Sequence, residues 1–473
     1  MRQLVGRNND LATFRELLNS GKSEFVAVYG RRRVGKTFLI RAAFNDKITF
    51  QVTGLSSATM MQQLSNFNSE LRKLIRESEY SFANDWFNAF QQLISVLEAN
   101  NDQKKVVFID ELPWFDTAKS GFISALEHFW NSWASARNDI ILIVCGSAAS
   151  WIINKLINNR GGLHNRVTKR MKIIPFTLYE CEQLLLSKNI VLDRYQIIQL
   201  YMVFGGIPYY WEEIKPGLSA SQNIENICFS ENGLLRSEFN NLFKSLFNKH
   251  EKHTVIVALM AKKSIGLSRD EIIRESGLPN AGSTTRLLEE LEESGFILRY
   301  SPFGKKTRSS IYQLVDLYSL FYLKFIKDSN PRDTNFWVNS TDNPRHRAWS
   351  GYAFEQVCLQ HINQIKKELG ISGVSTTSSS WRSSLNTNGT QIDLVIDRRD
   401  HVINLCEMKF SINQFVIDKK YSDELRNKMG TFKTETKTRK SIFLTLITTY
   451  GIQANVHSIG LVQNDIQMES LFQ

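Results

Sequence analysis

A glycine-rich segment with one lysine and one threonine carries the clearest chemistry in this chain. It spans residues 30–37 and fits G-x-x-x-x-G-K-[ST], the pattern of loops that hold nucleotide phosphates. The apolar, β-prone run 25–29 precedes it and the helix-forming run 38–44 follows it, which is the context such a loop requires. Its glycines let backbone N–H groups point at phosphate oxygens, and the helix N-terminus adds partial positive charge. The residues predicted to line the nucleotide are Gly30, Arg31, Arg32, Arg33, Val34, Gly35, Lys36 and Thr37.

Within this loop, the lysine and the threonine have distinct predicted roles. Lys36 would reach the β- and γ-phosphates, and the Thr37 hydroxyl would ligate Mg²⁺. The three arginines at positions 31–33 either face solvent or neutralise a neighbouring surface.

Two more apolar runs end in polar residues that suit the same site. The run 104–109 leads into Asp110, which would hold Mg²⁺ through water, and Glu111, which would polarise the attacking water. The run 140–146 is typical of a strand buried on both faces. It leads to Ser147, which either touches the γ-phosphate or the catalytic water, or caps the next helix.

Two arginines beyond the third apolar run, Arg160 and Arg166, are candidate arginine fingers. Such a residue would stabilise the charge that develops on the transferred phosphoryl group. Arg166 is the preferred candidate. Either residue could instead be an ordinary surface arginine.

Length and composition limit the class of protein. The 473 residues have room for about three domains, and 42% hydrophobic with 22% charged residues is typical of a soluble globular protein. The sequence shows neither a signal peptide nor a run of ~20 apolar residues, and its five scattered cysteines indicate no disulfide framework or zinc site. We therefore expect a cytoplasmic protein with no membrane partner. The net charge of +11 favours a polyanionic partner.

The pattern of elements predicts four regions. Residues 1–174 alternate strands and helices, which indicates a parallel α/β sheet, and residues 175–249 read as a helical lid. Residues 250–330 predict a winged helix and an aromatic-rich connector. The polar start of the third helix of this module, at 283–286, could contact DNA. The acidic stretch 289–293 would repel phosphates, so the module either binds DNA or serves for packing and regulation.

A second group of reactive residues lies in region 331–473. Asp393 is on one β-prone run, and Glu407 and Lys409 share one face of the next, because strand side chains alternate. The two carboxylates would bind Mg²⁺, and the lysine would orient or activate water for phosphodiester hydrolysis. Glu355 on an upstream helix would join the metal site. The alternative is a surface salt bridge.

This C-terminal pattern matches the PD-(D/E)XK pattern of restriction-endonuclease-like folds, and the chain as a whole resembles the archaeal-type ATPase family of the AAA+/STAND group. The segments that carry the resemblance are 4–11, 28–37, 108–114, 146–147 and 205–209. The resemblance implies an α/β P-loop NTPase sheet with a helical lid, a winged helix and a C-terminal α/β nuclease-like domain. It also implies ATP binding and hydrolysis through residues 30–37, Asp110 and Glu111. One departure is that no clear lid arginine lies near 205–206 to act as a second sensor.

The leading hypothesis is an ATP-binding and ATP-hydrolysing protein that acts on or near DNA and carries a Mg²⁺-dependent, nuclease-like C-terminal domain. The alternative is a nucleotide-switched signalling scaffold whose C-terminal domain binds nucleic acid or protein without cleavage. A third hypothesis is an ATPase whose basic surface meets an acidic protein. A homo-oligomer is compatible with each of them.

Overall fold

The computed structural model describes residues 4–75, 80–158, 161–247, 249–263, 265–305, 309–330, 333, 335–340, 343–383 and 390–473. The chain divides into two compact units, Met1–Pro175 and Phe176–Gln473. No helix of the described residues is long and apolar enough to cross a membrane.

The first unit alternates strands and helices. Its helices and strands are α1 (Asn8–Leu18), β1 (Glu24–Tyr29), α2 (Lys36–Phe44), β2 (Ile48–Thr53), α3 (Met60–Arg72), α4 (Trp86–Ala99), β3 (Lys105–Asp110), α5 (Phe122–Ser132), β4 (Ile140–Gly146), α6 (Ala149–Ile152) and β5 (Lys169–Lys172). The described strands form one sheet in the order β2-β3-β4-β1-β5, and every pair in it is parallel. This confirms the predicted parallel α/β sheet.

The hydrophobic core explains why the sheet is parallel. Every residue of β3 and of β4 is buried, so both faces of these strands are covered by other parts of the chain. One large cluster joins the strands to the apolar faces of α3, α4 and α5, with Phe67, Trp86 and Phe122 among its members. Because β3, β4 and β1 are neighbours, the polar residues that follow their carboxyl ends meet at one edge of the sheet.

The second unit begins with helices and ends with a mixed sheet. Its helices and strands are α7 (Leu178–Ser187), α8 (Arg194–Phe204), α9 (Pro208–Trp211), α10 (Ala220–Ile224), α11 (Glu238–Leu246), α12 (His250–Met260), β6 (Leu267–Ser268), α13 (Arg269–Ser276), α14 (Gly282–Glu293), β7 (Ile297–Tyr300), β8 (Ile311–Leu314), α15 (Leu317–Phe321), α16 (Pro344–Gln360), α17 (Ile362–Glu368), β9 (Thr376–Arg382), β10 (Gln391–Arg398), β11 (Val402–Lys409), α18 (Lys419–Thr436), β12 (Ser441–Thr448) and β13 (Asn464–Gln467).

Two helices of this unit are shorter than the sequence pattern predicts. The expected helix 221–247 is interrupted between α10 and α11, where a Cβ on Gly233 would lie 2.7 Å from the Ile227 carbonyl oxygen. The expected helix 352–365 is divided at His361 into α16 and α17. The His361 ring accepts the Leu178 backbone N–H at 3.0 Å, so a tertiary hydrogen bond accompanies the interruption.

Residues 250–314 contain the order of elements that the sequence predicts there. Helices α12, α13 and α14 precede the antiparallel pair β7–β8, and the short strand β6 pairs with β8. The turn between α13 and α14 begins at Gly277, which ends α13 in the left-handed conformation with φ 69°.

The second sheet has the order β13-β12-β11-β10-β9. The pairs β9–β10 and β10–β11 are antiparallel, whereas β11–β12 and β12–β13 are parallel. Helix α18 supplies the crossover from β11 to the parallel strand β12, and α16 packs against β11. Strand β9 lies at one edge, as predicted for the Ser/Thr-rich segment.

Candidate nucleotide site and a second acidic cluster

The loop between β1 and α2 depends on glycine at both ends. Gly30 and Gly35 have φ values of 145° and 87°, a region that side chains disfavour. A Cβ on Gly30 would also lie 2.3 Å from the backbone oxygen of Ile173. Helix α2 begins directly after Gly35, so its free N–H groups face the concave side of the loop, where an anion is favoured.

Lys36 is buried inside this loop. Its ammonium donates hydrogen bonds to the carbonyl oxygens of Gly30 and Arg31, both at 2.9 Å, and to Ser147 Oγ at 3.3 Å. Burial lowers the pKa of Lys36, because desolvation disfavours its charged form more than the nearby acidic groups favour it. These three acceptors are neutral, so an anionic ligand would supply the charge that the lysine lacks.

Thr37 and Asp110 form the next contact in the site. The Thr37 hydroxyl donates to Asp110 Oδ2 at 2.8 Å, and the Glu111 backbone N–H donates to Asp110 Oδ1 at 3.0 Å. Hydroxyl and carboxylate oxygens are the donors that Mg²⁺ prefers. The donor chemistry of this pair therefore fits a magnesium ion.

Glu111 is fixed from two directions. Its backbone takes the left-handed conformation with φ 47°, which is unusual for a residue with a side chain. Its carboxylate accepts the Ser147 hydroxyl at 2.7 Å and the Ser147 backbone N–H at 3.1 Å. Ser147 thus binds both Lys36 and Glu111, and it does not cap α6, whose first turn follows Ala148 without a side-chain cap. The predicted contact between Ser147 and phosphate stays a prediction.

The arginines of the site are arranged differently from expectation. Arg31 is buried, so the prediction that it faces solvent is wrong, and Arg32 and Arg33 are half-buried. The tight turn at Gly30 directs the chain inward, and the Arg31 carbonyl becomes an acceptor for Lys36. Arg166 is exposed, and its role as an arginine finger stays a prediction. Arg160 lies outside the described residues.

The second unit brings together the acidic residues predicted there. Asp393 on β10 accepts the Met408 backbone N–H, and the pairing of β9 with β10 shifts register around it. Glu407 on β11 is 2% exposed. Burial, followed by the neighbouring Asp393 carboxylate, raises the pKa of Glu355 to about 8 and that of Glu407 to about 7. Burial also raises the pKa of Asp393.

Two lysines complete this acidic cluster, and the sequence pattern indicated only one of them. Lys409 Nζ lies 5.0 Å from the centre of the Tyr421 ring. Lys428 on α18 donates to both oxygens of Glu407, at 3.0 and 2.9 Å. The Tyr421 hydroxyl is a further donor to Glu407, at 3.5 Å. The sequence signal for Lys428 is weak, since a lysine four residues after Glu424 on a helix is typical of a surface ion pair.

The fit of this cluster to a metal ion is incomplete. Buried carboxylates are suitable donors for Mg²⁺. Within the described residues, however, no group of three or more His, Cys, Asp or Glu side chains is arranged to hold a metal ion. The two oxygens of Glu407 are occupied by Lys428, so the expected ligand set is not free in this conformation.

Comparison with known proteins agrees with the geometry of the first site. Residues 4–214 match a family model described as an ATPase domain predominantly from Archaea. An uncharacterized protein of Methanocaldococcus jannaschii is 24% identical over 366 residues, which are 77% of this chain and 78% of that protein.

Solved structures show the same type of fold. A Walker-type ATPase of Pyrococcus abyssi is similar, with a TM-score of 0.52 and 16% identity over 68% of this chain and 96% of that ATPase. The ORC2 protein of Aeropyrum pernix has a TM-score of 0.43 and 14% identity over 69% of this chain and 94% of that protein. This chain therefore contains an archaeal-type ATPase domain with an α/β fold.

Proposed function

We propose that this protein binds ATP together with Mg²⁺ and hydrolyses it at the sheet edge formed by β3, β4 and β1. The observation that carries the proposal is the bridge made by Ser147. Its hydroxyl lies within hydrogen-bonding distance of both Lys36 and Glu111, so the phosphate-binding lysine and the water-orienting carboxylate share one support.

Each residue has a defined task in this proposal. Lys36 moves from the backbone carbonyls to the β- and γ-phosphates, whose charge restores the stability of its ammonium. Thr37 and Asp110 hold Mg²⁺, which would neutralise charge on the phosphates. Glu111 accepts a hydrogen bond from the attacking water and orients it toward the γ-phosphate. The backbone N–H groups of the loop hold the remaining phosphate oxygens.

The Glu111→Gln variant tests this proposal. The amide keeps the shape of the side chain and removes the charge that orients water, so ATP turnover should fall at least about a hundredfold while ATP binding persists. Phosphate release and calorimetric titration measure the two quantities. Glu16→Gln, an exposed position on α1, is the matched control and should leave both unchanged. Undiminished phosphate release by Glu111→Gln would assign the catalytic role to another residue.

A second function is proposed for the acidic cluster in the second unit, namely phosphodiester hydrolysis in DNA. The observation that favours it is the convergence of Glu355, Asp393 and Glu407 with Lys409 on a mixed sheet whose strand and helix order suits a restriction-endonuclease-like domain. The carboxylates would hold Mg²⁺, which activates water and stabilises the charged phosphate when bound. Lys409 would orient the water.

The rest of the second unit has a proposed role in presenting that DNA. We assign residues 175–249 to a helical lid, 250–330 to a winged helix with its connector, and 331–473 to the nuclease-like domain. The hairpin β7–β8 and the start of α14 are the parts of the winged helix that would face a DNA backbone. The net charge of +11 supports a polyanionic partner.

Cleavage of plasmid and single-stranded DNA with Mg²⁺ or Mn²⁺, with and without ATP, tests the second function. Asp393→Ala and Lys409→Ala should each abolish cleavage and leave ATP hydrolysis intact, because the two sites lie in separate units. Asp423→Ala, an exposed position on α18, is the control. Absence of cleavage by the unaltered protein under all these conditions would favour the alternative, a scaffold that binds without cutting.

A further inference from the structure

Helix α18 brings a positive charge directly onto the buried carboxylate of the acidic cluster. Lys428 Nζ lies 2.9 Å from Glu407 Oε2 and 3.0 Å from Glu407 Oε1, so one ammonium occupies both oxygens. The side chain of Glu407 is 2% exposed and that of Lys428 is 18% exposed. A carboxylate this deeply buried requires a partner for its charge, and Lys428 is that partner.

The same lysine is close to a second carboxylate. Glu424 lies one helical turn earlier on α18, its Oε1 is 3.8 Å from Lys428 Nζ, and its side chain is 53% exposed. A lysine ammonium is a compact charge on a flexible four-carbon stem, so it can change partners without movement of the helix backbone. Lys428 thus lies between one buried and one exposed acidic partner.

We propose that Lys428 is an internal counter-ion of Glu407 which a divalent cation must displace, and that Glu424 receives the displaced ammonium. This inference rests on the phosphodiester-cleaving function proposed for the cluster. It assigns to Lys428 and Glu424 the control of metal entry, and it explains why the described residues show suitable donors without a formed metal site.

The argument is electrostatic. A divalent cation bound to Glu407 would lie about 2.1 Å from the same oxygens that Lys428 now contacts. Two cations held this close in a buried site repel each other strongly, because the surrounding protein screens charge far less than water does. The ammonium and the metal therefore exclude each other from Glu407. When Lys428 pairs with Glu424 near solvent, the carboxylate becomes available.

Other charged groups around Glu407 do not replace this role. Lys409 also lies on β11, but its ammonium faces the Tyr421 ring at 5.0 Å. Asp393 and Glu355 are acidic, and each raises the pKa of the buried carboxyl groups near it rather than neutralising them. Among these groups, Lys428 is the cation that contacts Glu407 through both oxygens.

Titration of the full-length, nucleotide-free protein with Mn²⁺ tests the inference, and the site is identified as the binding that Asp393→Ala abolishes. Lys428→Met removes the competing charge and should bind Mn²⁺ at least about tenfold more tightly than the unaltered protein. Glu424→Gln removes the alternative partner and should weaken binding at least about threefold. Lys433→Met, an exposed lysine on the same helix, is the matched control and should not change the affinity.

A variant that keeps the buried charge protects the test against misfolding. Lys428→Arg can grip Glu407 with two parallel hydrogen bonds, so it should bind Mn²⁺ more weakly than the unaltered protein while remaining folded. Equal Mn²⁺ affinity in the unaltered, Lys428→Met and Lys428→Arg proteins would overturn the inference and leave the proposed cleavage function standing. If neither the unaltered protein nor Lys428→Met has a Mn²⁺ site that depends on Asp393, the cleavage function itself fails.

Discussion

In the first unit the lysine ammonium is kept apart from the carboxylates, whereas in the second unit a lysine ammonium lies directly against one. Lys36 donates to two carbonyls and to Ser147, and Ser147 in turn donates to Glu111. Lys428 donates to both oxygens of Glu407 without an intermediary. A neutral hydroxyl separates opposite charges in one site, and the opposite charges neutralise each other in the other.

The direction of the pKa shifts expresses the same difference. In the first unit, burial lowers the pKa of Lys36, since its hydrogen-bond acceptors carry no full charge. In the second unit, burial raises the pKa of Glu355 to about 8 and that of Glu407 to about 7. The first site is therefore prepared for an anionic ligand with its metal ion, while the second must rearrange before it accepts a cation.

The largest expected effect concerns Lys36. Replacement by Ala removes the cation that reaches the β- and γ-phosphates, so ATP affinity should fall at least about a hundredfold. Calorimetric titration with ATP and Mg²⁺ measures the loss, and the exposed Lys47→Ala serves as the control. Unchanged ATP affinity would mean that the loop does not bind phosphate and would remove the first half of the comparison.

A smaller effect is expected for the hydroxyl that separates the charges. Ser147→Ala deletes the contacts of the side chain with Lys36 and Glu111 but keeps the backbone N–H bond to Glu111. Turnover should fall about tenfold, with little change in ATP affinity, because Glu111 loses one of two supports. Steady-state phosphate release and titration separate these quantities. A loss of affinity as large as that of Lys36→Ala would show that Ser147 acts mainly in binding.

The smallest expected effect is a pH dependence of stability in the second unit. The pKa of Glu355 is raised from 4.5 in the unfolded chain to about 8 in the fold, so the folded protein binds this proton more tightly. Stability should therefore fall as pH rises from about 4.5 to about 8. Glu355→Gln cannot titrate, so relative to the unaltered protein it should gain on the order of 1 kcal/mol or more over this interval.

Thermal unfolding in a metal chelator at about pH 5 and about pH 8.5 measures this gain. The exposed Asp423→Asn should show a constant difference from the unaltered protein at both pH values. A constant difference for Glu355→Gln as well would indicate that Glu355 is ionised in the fold, and the second cluster would then be closer in character to the first site.

The strands and the nucleotide loop could be predicted because their signals are local. An apolar run followed by a glycine pattern specifies a strand, a turn and a helix start within about fifteen residues. The run 25–29 is predicted from residue types alone and appears as β1. Likewise, the alternation of polar and apolar residues along β10 and β11 is enough to predict the hairpin that carries Asp393 and Glu407.

Other features depend on contacts between residues far apart in the chain. Arg31 becomes buried because the loop closes over Lys36, and the interruption after α16 coincides with the bond between His361 and Leu178. Lys428 looks like a surface lysine paired with Glu424 until the fold places α18 beside β11. Neither residue spacing nor composition records such an approach.

The sequence by itself determined which chemistry is present: a phosphate loop, a pair of acids after a buried strand, and a group of carboxylates with lysines. These depend on residue type and short spacing, and both are visible in one dimension. The tertiary structure decided how the charges are paired, because pairing depends on which side chains approach within a few ångströms. It joined Lys36 to Glu111 through Ser147, and it placed Lys428 on Glu407.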